Sequence, residues 1–210
     1  MELIEKKVMD LLDDFASETP APGGGSASAL SASMGAALVC MVGKLTVGKK
    51  KFLLLPDADR SHFIGAVASF EPLRIKLALL VDEDAKSFDG VMAGYRMPKT
   101  TEAEAASRTQ AIETALRGAI AIPMKTAELA AAGIAKLDGI LAHANKSCLS
   151  DLGSAAMLLS AGLAGATMNV EINLGGLSDE TEKQGYRDQL AAFAALRSEA
   201  ERIVSAIRGS

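Results

Sequence analysis

Tryptophan is missing from the 210 residues and aromatic residues amount to 4%, so the 49% hydrophobic content rests on Ala, Leu, Ile, Val and Met. Small and straight-chain apolar residues favour closely packed helices, whereas strands draw on aromatic and β-branched ones. Histidine is nearly as scarce. His62 and His143 stand alone, without HExxH or any other ligand spacing, and no zinc or other metal site is expected. Cys40 and Cys148 form no CxxC pair and sit in apolar or mixed stretches, which marks them as reduced packing residues. Basic residues are not in excess: 22 Lys and Arg against 26 Asp and Glu leave a net charge of −4. That balance lacks the broad positive field on which nucleic-acid binders depend, and no nucleic-acid partner is expected. The first residues, Met1-Glu2-Leu3-Ile4-Glu5-Lys6-Lys7, lack the basic and apolar regions of a signal peptide. A cytoplasmic location is therefore expected.

Charge is absent from two stretches, 19–43 and 152–170, each long enough to cross a bilayer. Both are crowded with Gly, Ala and Ser, and neither is flanked by aromatic anchors on both sides. They read as helices buried on all sides within a bundle, with no membrane partner.

What the chain does have is helical periodicity throughout. A first helix is expected over 3–16, with Leu3, Ile4, Val8, Leu11, Leu12 and Phe15 on one stripe, stopped by Pro20-Ala21-Pro22. A second spans 27–47 and ends at Gly48. A third region, 59–97, is broken by Pro72 and closed by Pro98. Thr101 and Glu104 have capping-box spacing and open a helix running towards Leu137, bent near Pro123. A helix over 151–174 follows a polar loop, and Asp179 with Glu182 opens a last one to about Ile207. These segments predict one all-α domain over 1–210, an antiparallel bundle of five to six helices joined by short loops.

Four constellations carry candidate chemistry. Gly23, Gly24 and Gly25, between Pro22 and Ser26, let the backbone take left-handed angles or approach a ligand, and the helix that follows offers free amides. A close-packed interhelical turn explains them equally well. Asp84 lies on the stripe Leu77, Val81, Asp84, Phe88, Val91, Tyr95, while Asp82 and Asp89 lie off it. A core-facing carboxylate is either a tuned acid–base group or half of an interhelical salt bridge. Asp151, Leu158, Gly162, Gly165, Asn169 and Asn173 fall on one side of a helix, forming a groove that is smooth in its middle and polar at both ends; Asn145 and Ser150 lie just before it. Asparagine both donates and accepts, which suits the edge of a pterin, and equally suits capping or interhelical bonds. Last, Lys44, Lys49, Lys50, Lys51 and the more distant Lys99 form either a basic cluster beside the glycine turn or a solvated helix end.

Taken in order, Pro20-Ala21-Pro22-Gly23-Gly24-Gly25-Ser26, Met41-Val42, Leu45-Thr46-Val47-Gly48-Lys49-Lys50-Lys51-Phe52, Asp82-Glu83-Asp84-Ala85 with Phe88, Met97-Pro98-Lys99, Asn145 with Ser150-Asp151, and Asn169-Val170-Glu171-Ile172-Asn173-Leu174 resemble the cyclodeaminase/cyclohydrolase family. That family contains methenyltetrahydrofolate cyclohydrolase and the cyclodeaminase domain of formiminotransferase-cyclodeaminase. The resemblance runs from about residue 15 to 174. Lys44, where a smaller polar residue such as Asn is usual, Ala144, where Gly is usual, and Pro72 depart from its pattern. It implies a homodimer with a folate site near the subunit contact, lined by the glycine turn, Asp84 and the asparagine-bearing helix.

On this resemblance the expected activity is metal-independent hydrolysis of 5,10-methenyltetrahydrofolate to 10-formyltetrahydrofolate. Asp84 and Asp151 are the catalytic candidates. Gly23, Gly24, Gly25, Ser26, Lys49, Lys99, Asn145, Ser150, Asn169 and Asn173 are the substrate-binding candidates, with the lysines meeting the glutamate carboxylates of a folate with or without a polyglutamate tail. No cofactor is expected. The alternatives are formiminotetrahydrofolate cyclodeaminase and a non-catalytic folate-binding or scaffold subunit.

Overall fold

A computed structural model describes residues 2–209, and among them every regular element is helical. The helices are α1 (Val8–Ala16), α2 (Gly24–Thr46), α3 (Lys50–Leu53), α4 (Asp57–Ala68), α5 (Phe70–Arg96), α6 (Glu102–Ile134), α7 (Leu137–Leu141), α8 (Leu149–Leu174), α9 (Glu180–Ala192) and α10 (Ala194–Arg208). The sequence led to fewer, longer helices. The region over 59–97 divides at Ser69, not at Pro72, which occupies the third position of α5, where a missing N–H leaves no helical bond unmade. The last expected helix likewise divides at Phe193.

The capping signals account for the ends. Glu104 N–H donates to Thr101 Oγ1 at 3.2 Å and Thr101 N–H to Glu104 Oε2 at 2.9 Å, a complete capping box. At α9 only half of the expected box forms. Asp179 accepts from the amides of Thr181 and Glu182, but the Glu182 carboxylate turns away to Arg117 at 3.0 Å. Gly48 has φ 88°, the left-handed turn expected after α2. Pro123 lies within α6, which continues past it.

Four long helices make the frame. Gly24 meets Asn169, Gly165 meets Ser28, and Gly35 meets Ala155 and Leu159, so α2 and α8 run antiparallel in tight register. Ser26 bonds Val81 while Ser33 bonds Arg74, which sets α5 antiparallel to α2. Asn173 bonds Ala119 and Gly133 meets Leu159, placing α6 antiparallel to α8. Each helix thus has two antiparallel neighbours, and α10 packs along α8. Small residues are what allow this approach. A Cβ on Gly162 would lie 2.7 Å from the Ala32 Cβ and from the Ser28 carbonyl oxygen. The smooth middle of α8 is therefore not a groove, as the sequence projection suggested, but the interface with α2.

The two stretches without charge become α2 and α8. Both are long and apolar enough to cross a membrane by length and composition, and here they pack against each other between α5 and α6. The main core holds Phe63, Phe70, Leu77, Ile134 and Leu159, and a smaller cluster of Val91, Ile120, Val170 and Leu174 closes the other end. The expected first helix is replaced by a 3₁₀ turn at Leu3–Glu5 followed by α1, in which Leu11 alone is buried while Val8, Met9 and Leu12 are exposed. That stripe is therefore only partly covered, Leu3 and Leu11 inward and Val8 and Leu12 outward.

Candidate functional site

At the end of the bundle where α2 begins, the glycine motif is not a loop with left-handed angles. Gly23 caps the helix in an extended conformation (φ −126°), and Gly24, Gly25 and Ser26 already form its first turn. What the glycines supply is closeness. A Cβ on Gly25 would fall 2.1 Å from Asp84 Oδ1 and 2.6 Å from Oδ2, and one on Gly24 would fall 3.2 Å from Asn169 Nδ2. The first turn of α2 is thereby wedged between the Asp84 carboxyl on α5 and the Asn169 amide on α8.

Asp84 is half-buried, and burial pushes its carboxyl above the ordinary range, an effect opposed by hydrogen bonds from Ser26. Both its donors come from Ser26, the backbone N–H and the hydroxyl, whose Oγ lies 3.0 Å from Oδ2. No lysine or arginine pairs with Asp84 among the described residues, so the interhelical salt bridge left open by the sequence does not form. Leu77 and Val81 on the same stripe are fully buried, whereas Tyr95 at its far end is exposed. Asp82, assigned to the outer side by periodicity, is the more buried acid at 7% exposure. Its carboxylate accepts from the amides of Leu3 and Ile4, because the N-terminal 3₁₀ turn covers that side of α5. Lys86 next to it pairs with Glu2 at 2.9 Å.

The asparagines have local duties. Asn169 Nδ2 donates to the Gly165 carbonyl at 2.8 Å, and Asn173 Nδ2 donates to the Ala119 carbonyl of α6 at 2.9 Å. Both side chains are half-buried, and each carbonyl oxygen is left for another donor. Ser26 is fully buried, and its hydroxyl meets the Asp84 carboxyl.

The remaining candidates lie elsewhere. Ser26 and Thr46 are 20 residues apart on α2, about 30 Å at the helical rise. The lysines are consequently not beside the glycine turn. Lys49, Lys50, Lys51 and Lys146 line a cavity of about 410 Å³ at the opposite end of α2, with Phe52 and His143 in its wall. Asn145 belongs to the same cavity, where its amide N–H donates to Thr46 Oγ1 at 3.0 Å, its Nδ2 to the Leu45 carbonyl at 3.1 Å, and its Oδ1 accepts from Ser147. Ser150 and Asp151 open α8 at that end, about 27 Å from Asn169 along the helix. Lys99 is exposed in the link between α5 and α6, beyond Asp84 on the near end. One chain therefore brings together Gly24, Gly25, Ser26, Asp84, Asn169 and Asn173, and holds Lys49, Asn145, Ser150 and Asp151 apart from them.

Among the described residues no group of three or more His, Cys, Asp and Glu side chains is arranged to hold a metal ion. Cys40 and Cys148 are buried and free, as expected of packing residues, and burial raises the Cys40 thiol above its ordinary range.

Comparison with known proteins gives this arrangement its relatives. A family model described as formiminotransferase-cyclodeaminase matches residues 7–192. Methenyltetrahydrofolate cyclohydrolase of Methylorubrum extorquens is 39% identical over 168 residues, 80% of this chain and 79% of that protein. Formimidoyltransferase-cyclodeaminase of Rattus norvegicus is 35% identical over 191 residues, which cover 91% of this chain and 35% of that longer protein. The chain thus spans about a third of the length of that relative. Formiminotetrahydrofolate cyclodeaminase from Thermotoga maritima has the same fold, with a TM-score of 0.83 at 27% identity over 98% of this chain and 97% of that one. With the family model covering most of its length and relatives at this identity, the chain belongs to the formiminotransferase-cyclodeaminase family.

Proposed function

We propose that the chain is an enzyme of tetrahydrofolate chemistry that hydrolyses 5,10-methenyltetrahydrofolate to 10-formyltetrahydrofolate. The observation that carries the reading is the Asp84 carboxyl: half-buried, raised in pKa, free of any cation and pressed against the first turn of α2. The relative named as a methenyltetrahydrofolate cyclohydrolase, similar over four fifths of both chains, agrees with it.

The methenyl carbon of the substrate is part of a cationic amidinium, so the electrophile brings its own charge and the reading needs no cofactor. Asp84 accepts a proton as water adds to that carbon. The bond from carbon to N5 then breaks, N5 takes up a proton from the Asp84 carboxyl, and the second water proton leaves the adduct as the formyl carbonyl forms. The carbonyl oxygens of Asn169 and Asn173 are available to the pterin's N–H groups. The proposed enzyme is cytoplasmic.

Catalysis by a homodimer reconciles the two separated clusters. Leu30, Met34, Leu38, Met41 and Leu45 form a partly exposed apolar strip along α2 between them. Two copies packed antiparallel along this strip would set the lysine cavity of one against the Asp84 end of the other, giving the folate's glutamate carboxylates a cationic seat. Lys49, Lys99, Asn145, Ser150 and Asp151 keep their proposed roles in that arrangement.

A second reading, cyclodeamination of 5-formiminotetrahydrofolate, is favoured by the full-length similarity to the Thermotoga maritima protein of that name. There N10 attacks the formimino carbon and a protonated Asp84 assists the departure of ammonia. Two assays on one preparation separate the readings. Loss of methenyl absorbance with no ammonia from 5-formiminotetrahydrofolate supports hydrolysis; ammonia release supports the second; folate binding with neither makes the chain a scaffold.

A further inference from the structure

Ser26 is fully buried, and its hydroxyl lies within bonding distance of two oxygens on α5: the Val81 carbonyl at 2.9 Å and Asp84 Oδ2 at 3.0 Å. A serine hydroxyl carries one hydrogen and two lone pairs. The Val81 oxygen can only accept. When Asp84 is ionised the stronger bond is the charge-assisted one, so the hydroxyl donates to Oδ2. When Oδ2 carries a proton the reverse set is complete: Oδ2–H donates to Ser26 Oγ, and Ser26 O–H donates to the Val81 carbonyl. Either ionisation state of the carboxyl therefore keeps a bond to the hydroxyl, and the Ser26 side, fully buried, is shielded from solvent.

We propose that Ser26 is the positioning residue of the Asp84 carboxyl, a buried hydroxyl that turns between Asp84 and the Val81 carbonyl as the carboxyl gains and loses its proton. The inference rests on the reading of Asp84 as the acid–base group. Hydrolysis and deamination both require that carboxyl to alternate between two ionisation states without leaving its place, and a partner able to donate in one state and accept in the other permits this. Charged neighbours do not compete for it. Asp82 is bound to the amides of Leu3 and Ile4, and Lys86 to Glu2. The packed stretches around the site, 24–33 of α2, 118–124 of α6 and 162–170 of α8, contain no ionisable side chain. Gly25, without a Cβ, leaves room for the carboxyl in both states.

The test is carbon-13 NMR on the whole chain, with labelled aspartate and valine carbonyl carbons, across a pH titration. The Asp84 signal is identified by its loss in Asp84→Asn. The Val81 carbonyl shift is expected to move with the same midpoint as Asp84 in the wild type. In Ser26→Ala most of that Val81 movement should vanish, and the Asp84 midpoint should rise, because the ionised form loses the hydroxyl donor and keeps only the backbone N–H. At neutral pH, kcat/KM of Ser26→Ala should fall about tenfold, and Ser26→Cys, which keeps a weak donor, should recover part of it. A Val81 carbonyl insensitive to Asp84 ionisation, or an Asp84 midpoint unmoved in Ser26→Ala, overturns the proposal. The wild-type titration needs no substitution, so it decides the matter even if Ser26→Ala fails to fold. It also needs no folate: a coupled Val81 response in a chain inactive on both folates would sustain the hydroxyl switch and refute the reading of function.

Discussion

The α-carbon of Gly25 faces the Asp84 carboxyl so closely that a single added methyl group would stand 2.1 Å from Oδ1. The obstacle is the free end of a side chain, not backbone, so the fold has a way to yield. Gly25→Ala is expected to fold with a melting temperature close to wild type and to turn the carboxyl away. Because misplacement by an ångström costs about a hundredfold in rate, kcat should fall by that order. Circular dichroism and turnover measured together check this.

Asp84→Asn keeps the shape of the side chain and its contact with Ser26 while removing the group that gains and loses a proton. Turnover of methenyltetrahydrofolate should fall by about 10²–10⁴-fold, the usual contribution of a positioned acid–base group. Folate affinity should remain within a few fold. Full activity in a folded Asp84→Asn chain would dismiss Asp84 from the chemistry.

The same substitution has a pH signature in stability. Burial raises the native Asp84 carboxyl above its ordinary value of 3.8, so between that value and the raised one the native state holds a proton which the unfolded chain has lost. Wild-type stability attributable to this group is fully present below the ordinary value and falls as pH rises through the raised one. Asn carries no such dependence. The stability of Asp84→Asn relative to wild type should therefore increase from about pH 4 towards neutrality, as read by urea denaturation at each pH.

Gly162 tests the frame. Its missing Cβ would lie 2.7 Å from both the Ala32 Cβ and the Ser28 carbonyl oxygen, and helix backbone cannot swing aside as a carboxyl can. Gly162→Ala should destabilise the chain by about 1–3 kcal/mol, the usual cost of forcing a methyl group into a packed interface. The midpoint of chemical denaturation measures it.

The lysine cavity tests the proposed dimer. Lys49→Glu with Lys50→Glu should raise KM for a polyglutamylated folate more than for the monoglutamate, with kcat little changed, and the difference should shrink in high salt. Refolding this variant together with Asp84→Asn should restore the wild-type KM for the polyglutamylated folate in part of the turnover, since one of the two sites in each mixed pair would then hold both intact halves. No restoration would place the cavity outside the reaction.

Much of this was legible in the residues because it depends on local chemistry. Thr101 with Glu104 and Gly48 mark helix ends through bonds and angles made within a few residues. Asp84 stood out because a carboxyl amid Leu77, Val81 and Val91 is anomalous whatever surrounds it. Asp82 was misjudged because its burial comes from Leu3 and Ile4, about 80 residues away in the chain. The buried position of Ser26 escaped notice because serine is common at the start of a helix.

Family membership, the all-helical class and the inward-facing place of the Asp84 carboxyl are thus determined by sequence alone, since periodicity, caps and ordered motifs are properties of neighbouring residues. Only the tertiary structure decided that the glycines serve closeness and not turning, that the small residues of α8 are an interface and not a groove, and that the lysines stand a helix length from the acid. The reason is physical. Sequence order states which residues share a helix, but what lies opposite them, and how far apart the two ends of that helix stand, are settled when the helices pack.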